Sequence, residues 1–311
     1  MKNFWKPFVA WATVLRTDPF VNARIRLTFL YIGSVVVVLA ITNVLIFKID
    51  LSTLYLLIIV TVALISYFIS GITLSPIRHI LRAQKRFIAD ASHELRTPLA
   101  IMKTNAEVAL LDGARLDPHE AVSILKSTVE EIDRMSGIIE NLLALSYYDN
   151  RFTEIPLSPV NLATMVTNIT KRAESLALTK GVNMRVVYTD PGAIKANPIA
   201  IEQLVINLLK NAVTYTPTEG QVNVSVTNRG DIMELKIKDS GIGIPEKDLP
   251  FVFSPFYKAG QARTPHEKGS SGLGLTIVRK IVERHKGSIY LNSKEGKGTT
   301  VSIFFPRLIS S

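Results

Sequence analysis

The chain has 311 residues, 47% of them hydrophobic, no cysteine and a formal net charge of +10. That length is enough for two domains, and so apolar a composition is high for a chain that is soluble throughout. The absence of cysteine excludes disulfides, thiolate metal sites and thiol catalysis. Excess basic charge would suit nucleic acid, but its placement argues otherwise. Residues 1–26 and 75–86 each carry a net +4, so eight of the ten excess charges flank two apolar segments, and no nucleic-acid partner is expected.

Those segments are Leu27–Phe47 and Leu54–Leu74, each 21 residues long and uncharged. About 20 apolar residues cross the hydrocarbon core as a helix, so both are expected to span, forming a transmembrane hairpin over 27–74. Basic residues on the outer sides of the pair place both termini in the cytoplasm, with Lys48–Thr53 as a small external turn. The first run starts too late and is too long for a cleavable leader. Before it, in a cytoplasmic segment 1–26, Phe4, Trp5, Phe8 and Trp11 lie among lysines at roughly helical spacing. A helix in the membrane interface and a disordered tail both fit that pattern. Asn43, polar within the first span, suits a hydrogen bond to a neighbouring helix.

Ser75-Pro76 reads as a helix start, with proline in its tolerated first-turn position, and opens a helical hairpin over 75–147. Ile88, Ala91, Leu95, Pro98 and Met102 share one apolar seam, while Asp90, His93 and Thr97 fall on the opposite side. A lone surface histidine means little. Here Glu94 can take a proton from one ring nitrogen and leave the other as a nucleophile, while Thr97, one turn on, can position a water. Pro98 is expected to bend the helix just after this turn. Asp112-Gly113 and Asp117-Pro118 punctuate, and Leu125, Ile132, Met135, Ile139 and Leu142 follow at heptad-like positions. The seam is too wide for one partner, so a homodimeric four-helix bundle is the natural way to bury it. A coiled hairpin without catalytic work is the other reading of this region.

Residues 148–160 read as a linker, with Pro156 and Pro159 among polar residues. Beyond it, residues 161–311 mix helix and strand. Asn161 caps a helix to about Leu178, and strands are expected near Met184–Tyr188, Val222–Thr227, Met233–Lys238, Ser288–Asn292 and Thr299–Phe305. Strand runs without helical crossovers favour an antiparallel α+β two-layer sandwich.

Four stretches of this domain carry chemistry. The helix Ile201–Tyr215 puts Asn207, Asn211 and Tyr215 at four-residue steps on one face; amide oxygens suit Mg²⁺, although buried amides bonded to backbone fit equally. Asp239-Ser-Gly241-Ile-Gly243 follows a strand, and Asp239 can accept a hydrogen bond from a ligand amine; a plain tight turn is the commoner meaning of such glycines. Phe251–Lys258, with Phe253 and Phe256, introduces a Gly/Gln/Thr/Lys-rich segment to Lys268 that reads as a mobile cover, unless the aromatics are simply core. Gly269–Gly274, containing Gly272, Leu273 and Gly274, opens a helix Leu275–His285 whose N–H groups and dipole attract phosphate.

The stretch Phe87–Leu99, centred on His93-Glu-Leu-Arg-Thr97-Pro-Leu, closely resembles the phospho-acceptor box of sensor histidine kinases. In their order, the four later stretches resemble the nucleotide-site boxes of the same family's ATP-binding domain, of the type shared with gyrase and mismatch-repair ATPases. The resemblance covers about residues 76–306. It implies ATP and Mg²⁺ as ligands, Asn207 and Asn211 holding the metal, Asp239 reading the adenine amine, and Gly272 and Gly274 meeting phosphates. It also implies a prokaryotic plasma-membrane kinase that phosphorylates His93 and passes the phosphoryl group to the receiver domain of a response regulator, with phosphatase activity toward that regulator. There are departures. Thr214 stands where many members have a lysine, leaving Lys210, Lys258 or Lys268 to reach a phosphate, and Ala196-Asn197 replaces the usual Gly-Asp ahead of the Asn207 helix. Too few residues separate Pro76 from His93 for a relay module. Six external residues cannot bind a ligand, which leaves the bilayer or a partner membrane protein as the source of the signal. The alternatives are a kinase-inactive membrane scaffold and another ATPase of the same nucleotide-binding type.

Overall fold

The structure, a computed structural model, describes residues 30–39, 41, 42, 51–111, 117–150, 154–260 and 271–308, with backbone alone at 51, 54 and 68–80. The chain divides into two compact units, residues 1–86 and 87–311.

In the first unit, residues 30–39, 41 and 42 are helical within the first apolar run. The aromatic segment Phe4–Trp11, Asn43 and residues 48–50 of the expected turn lie outside the described residues. Among the described residues, no helix is long and apolar enough to cross a membrane. Helix α1 runs from Leu51 to Leu111, so Leu51, Ser52 and Thr53 are helical instead of part of an external turn. Pro76 is likewise inside the helix and does not start it. Its fixed φ is a helical value, and the one missing N–H is tolerated between long intact ladders on either side.

In the second unit, α1 packs against α2 (Pro118–Asp149). The residues between them, 112–116, which include the Asp112-Gly113 signal, lie outside the described set. As expected, Asp90, His93 and Thr97 are exposed, whereas Ala91, Leu95 and Met102 are half-buried and Pro98 is buried. Ile88 departs from the seam at 56% exposed. Phe87 takes the inward place, its ring 5.5 Å from that of Phe256. Asn105 Nδ2 donates to Ser127 Oγ and Thr128 Oγ1, each at 3.2 Å, a polar layer that fixes the stagger of the two helices. Leu125, Ile132 and Ile139 remain exposed.

The remaining elements are β1 (Ser158–Asn161), α3 (Leu162–Thr179), β2 (Asn183–Thr189), β3 (Ala193–Ala196), α4 (Pro198–Tyr215), β4 (Gln221–Asn228), β5 (Ile232–Asp239), a 3₁₀ turn Glu246–Phe251, α5 (Gly274–Arg284), β6 (Ser288–Lys294) and β7 (Gly298–Pro306). Asn161 and Asn197 cap α3 and α4 through side-chain oxygens that accept from Thr164 N and Ala200 N. The five-stranded sheet has the order β2-β4-β5-β7-β6, and β1 pairs with β3 in a separate two-stranded ribbon. Contrary to the antiparallel expectation, the sheet is mixed, because β2 and β4 run parallel. A parallel pair needs a long crossover, and β3 with α4 supplies it. The linker is also shorter than read from the sequence: Leu145 and Tyr148 join the core of the domain, and Ser158 already belongs to a strand. The inward faces of α3, α4 and α5, including Val166, Leu204, Leu208, Ile277 and Ile281, close over Val224, Leu235 and Ile303 of the sheet as a second layer.

Candidate functional site

Helix α4 orients the two asparagines because its apolar residues Leu204, Val205, Leu208 and Leu209 are committed to the core. Asn207, Asn211 and Tyr215 are left half-buried along its flank. A methyl placed on Gly274 would lie 3.8 Å from both Asn207 Oδ1 and Asn211 Nδ2. The opening turn of α5 therefore faces both amides, and Gly274 shares one site with two residues more than 60 positions earlier in the chain. Asn207 Nδ2 is buried with no hydrogen-bond partner. Among the described residues no group of three or more His, Cys, Asp or Glu side chains converges. A divalent cation here would rest on amide oxygens and on the phosphates it accompanies, a donor set that fits Mg²⁺.

Gly272 precedes α5 with φ +69°, and a side chain there would stand 2.7 Å from the Phe256 carbonyl carbon. Only glycine permits that approach. Leu273 is fully buried and acts as the N-cap residue without a side-chain bond. The first N–H groups of α5 thus have no side-chain cap, as an anion site requires. Phe253 is held by its neighbours: its carbonyl accepts from Thr276 Oγ1 at 3.1 Å, and the Arg279 guanidinium lies 5.9 Å from its ring centre. The cover expected over residues 259–268 is described only to Gly260; Lys268 lies outside the described residues.

The far wall is built at the end of β5. Asp239 is buried, and its Oδ1 accepts from Gly241 N at 2.9 Å and Thr299 N at 3.0 Å. Burial raises its carboxyl above the ordinary value against those hydrogen bonds. Gly241 is pressed on α4: a side chain would stand 2.5 Å from the Tyr215 carbonyl oxygen, which also accepts from Ile242 N. Gly243, with φ +69°, lies against the Lys294 carbonyl. The two glycines therefore hold the Asp239 turn against α4 and β6.

The His93 turn lies on the exposed side of α1. His93 is solvent-facing, and Thr97 Oγ1 donates to the His93 carbonyl at 3.3 Å. Lys258 pairs with the residue after His93: its Nζ lies 2.8 Å from Glu94 Oε1, and the lysine side chain is 13% exposed. Arg134 of α2, a residue the sequence did not single out, stands 4.0 Å from Glu94 Oε2. Nothing in its spacing separates a basic residue facing the other helix from one facing water.

Two supporting residues were also missed. Lys180 donates to the carbonyls of Val213, at 2.9 Å, and Thr214, closing the C-terminus of α4 beside the site. Desolvation lowers its pKa. Buried His285 accepts from Asn197 N at 3.0 Å through Nε2, while Nδ1 faces the Ile281 carbonyl at 2.7 Å. It thus ties the start of α4 to the end of α5, and burial pushes its pKa down. Lys210 is exposed on the face of α4 that lines an apolar groove with α3.

Comparison with known proteins matches the same two regions. Residues 83–151 match the family described as His Kinase A (phospho-acceptor) domain, and residues 196–309 the family of histidine kinase-, DNA gyrase B- and HSP90-like ATPases. The sensor protein kinase PmrB of Pseudomonas aeruginosa is 34% identical over 238 residues, 76% of this chain and 48% of that protein. The sensor histidine kinase WalK of Bacillus subtilis is 34% identical over 228 residues, 72% of this chain and 36% of that protein. The chain thus spans about half or less of the length of these relatives. The fold is shared with Acinetobacter baumannii histidine kinase AdeS (TM-score 0.55, 24% identity, 69% of this chain and 97% of that one). It is shared too with histidine kinase ThkA, solved in complex with response regulator protein TrrA (TM-score 0.58, 20% identity, 74% and 64%). With a phospho-acceptor domain followed by a histidine-kinase-type ATPase domain, the chain belongs to the sensor histidine kinases of two-component signalling.

Proposed function

We propose that the chain is a membrane-bound, homodimeric kinase that transfers the γ-phosphoryl group of ATP to His93 and then to an aspartate on a response-regulator receiver domain. Dephosphorylation of that regulator is proposed as a second activity. The observation that carries the reading is the meeting of Asn207, Asn211 and Gly274 across the interface of α4 and α5, with Asp239 at the far wall of the same domain. In this reading Asn207 and Asn211 hold Mg²⁺, which neutralises phosphate charge when bound. Asp239 receives the adenine amine, Gly241 and Gly243 fix its turn, and Tyr215 and Phe253 flank the nucleotide. Gly272, Leu273 and Gly274 present N–H groups to the phosphates.

A ring nitrogen of His93 attacks the γ-phosphorus as the bond to the ADP oxygen breaks, and Glu94 takes the proton from the other ring nitrogen. Rate comes chiefly from positioning and charge neutralisation. Thr97 orients the water that hydrolyses the regulator's acyl phosphate. The exposed Leu125, Ile132 and Ile139 on α2 are the surface a second copy covers in a four-helix bundle. The uncharged runs Leu27–Phe47 and Leu54–Leu74 anchor the chain in a prokaryotic plasma membrane with both termini inside. The signal reaches them from the bilayer or a partner membrane protein.

Incubating the full chain with γ-labelled ATP tests the reading. Acid-labile, alkali-stable phosphate on wild type, absent from His93→Gln, is the expected result; stable labelling of the variant overturns it.

A further inference from the structure

Helix α4 ends at Tyr215, and the way that end is closed bears on how a nucleotide base is held. The last four carbonyls of an α-helix have no partner within it. Here each is taken. The Ala212 carbonyl accepts from buried Thr216 Oγ1 at 2.6 Å, that of Tyr215 from Ile242 N at 3.1 Å, and those of Val213 and Thr214 from Lys180 Nζ. Thr216 is extended, at φ −92° and ψ 129°, so no left-handed residue wraps the end back on itself. The cap comes instead from a cation 33 and 34 positions earlier, at the helix end whose dipole favours one.

Lys180 ends two helices at once. Its own N–H closes α3 onto the Ala177 carbonyl at 3.1 Å. Next to it Gly181, with φ +67°, accepts from Glu219 N at 2.8 Å and has no room for a side chain against Thr218. The turn that carries Lys180 is therefore fixed on the loop that follows α4, and its ammonium reaches the helix end from a set position.

That end abuts the Asp239 turn without a gap. A side chain on Gly241 would stand 2.5 Å from the Tyr215 carbonyl oxygen. Gln221 N donates to Ser240 Oγ at 2.8 Å, and Ser240 N returns a bond to the Gln221 carbonyl at 3.0 Å. Gly241 N in turn donates to Asp239 Oδ1 at 2.9 Å. Close-packed groups pass a displacement on, so a last turn of α4 that frays or shifts takes Tyr215 and the Asp239 carboxylate with it.

We propose that Lys180 is a positioning residue for the adenine base: by closing the end of α4 it places Tyr215 and Asp239, and so sets the affinity and base selectivity of the site through the backbone of α4. This rests on the kinase reading above. Asp239 suits adenine, whose amine donates to a carboxylate, and disfavours guanine, which presents a carbonyl oxygen at the same place. Loosening the turn therefore weakens ATP and leaves GTP, which never gains that bond, where it was.

The test compares the full chain in detergent with Lys180→Met, which keeps the length of the side chain and removes its charge and donors. Lys180 is exposed, so the variant is expected to fold. Lys171→Met, at another exposed lysine of α3, controls for loss of charge. Lys180→Met is expected to raise Kd and KM for Mg-ATP by about five-fold. Its kcat at saturating ATP should stay within about two-fold, as for loss of binding alone, and competition by GTP should be unchanged. Lys180→Arg, which keeps a charged donor, restores ATP affinity, and Lys171→Met leaves it at the wild-type value. Wild-type ATP affinity in Lys180→Met overturns the proposal. So does an equal loss for ATP and GTP, which places the fault at the phosphates, or a lower kcat with KM unchanged, even where the melting temperature falls. Wild type that takes up no label from γ-labelled ATP would instead count against the kinase reading itself.

Discussion

The ATPase domain and the helical hairpin bury their apolar residues to very different extents. In residues 158–306, three helices cover one face of a five-stranded sheet, and side chains such as Leu204, Leu235, Ile277 and Ile303 are fully buried. In the hairpin, Leu99, Leu125, Ile132 and Ile139 remain 44–65% exposed while repeating at helical spacing. One region completes its core within a single chain. The other presents an apolar stripe, which is what a helix expects to lay against a partner. The contrast matches the division of labour: a pre-formed nucleotide site on a rigid scaffold, and an exposed histidine on a helix pair that other proteins can approach.

The largest effect expected from that contrast is on labelling. His93→Gln should abolish phosphate incorporation and leave nucleotide affinity unchanged, whereas Asn211→Ala should lose both. Filter binding of nucleotide beside autophosphorylation reads the two separately. If His93→Gln also lost nucleotide binding, the separation of tasks between hairpin and domain would be wrong.

Next comes the difference in burial. Leu204→Ala should destabilise the ATPase domain by about 2–5 kcal/mol, as for other buried leucines, measured by urea unfolding. Ile132→Glu with Ile139→Glu should cost the folded chain far less, since exposed positions usually change stability by about 0.5 kcal/mol or less. The same pair should weaken self-association, seen as a shift toward monomer in sedimentation. A double variant that stays dimeric would show that the stripe is not the interface.

His285 predicts a smaller, pH-dependent effect confined to the ATPase domain. Its pKa in the fold is depressed, so the stability it contributes is fully present above its ordinary value of about 6.5 and is lost as pH falls through the lower, folded value. Wild type should lose more stability than His285→Ala as the pH falls from 7.5 to 5.5. Thermal unfolding at the two pH values would show it; equal pH responses would remove His285 from the link between α4 and α5.

The smallest expected effect is that of Thr97→Ala. Its hydroxyl is exposed and, among the described residues, bonds back to its own helix, so autophosphorylation should stay within about two-fold, and dephosphorylation of purified phospho-regulator should slow. An unchanged dephosphorylation rate would release Thr97 from that role.

Local spacing was enough to identify the hairpin, the cap at Asn161, the outward face of His93 and the strands of the sheet, because each depends on residues a few positions apart. Asn197 is instructive. Singled out in the sequence only as a departure ahead of the Asn207 helix, it caps α4 and binds His285 and the Pro156 carbonyl, partners 88 and 41 residues away. Pro76 and the parallel pairing of β2 with β4 were misread for a related reason. A proline signal gives a preference that a long helix on both sides overrides, and strand direction depends on where α4 crosses.

By itself, therefore, the amino-acid sequence carried the resemblance to the family, and side-chain chemistry at short spacing gave the motif residues and the outward-facing histidine. Only the tertiary structure decided that Lys258 and Arg134 meet Glu94, that Asn207 and Asn211 face Gly274, and that His285 joins two helices. Lys258 and Glu94 are 164 positions apart. An ammonium group pairs with whichever carboxylate the packed core brings within about 4 Å, and no local pattern encodes which one that will be.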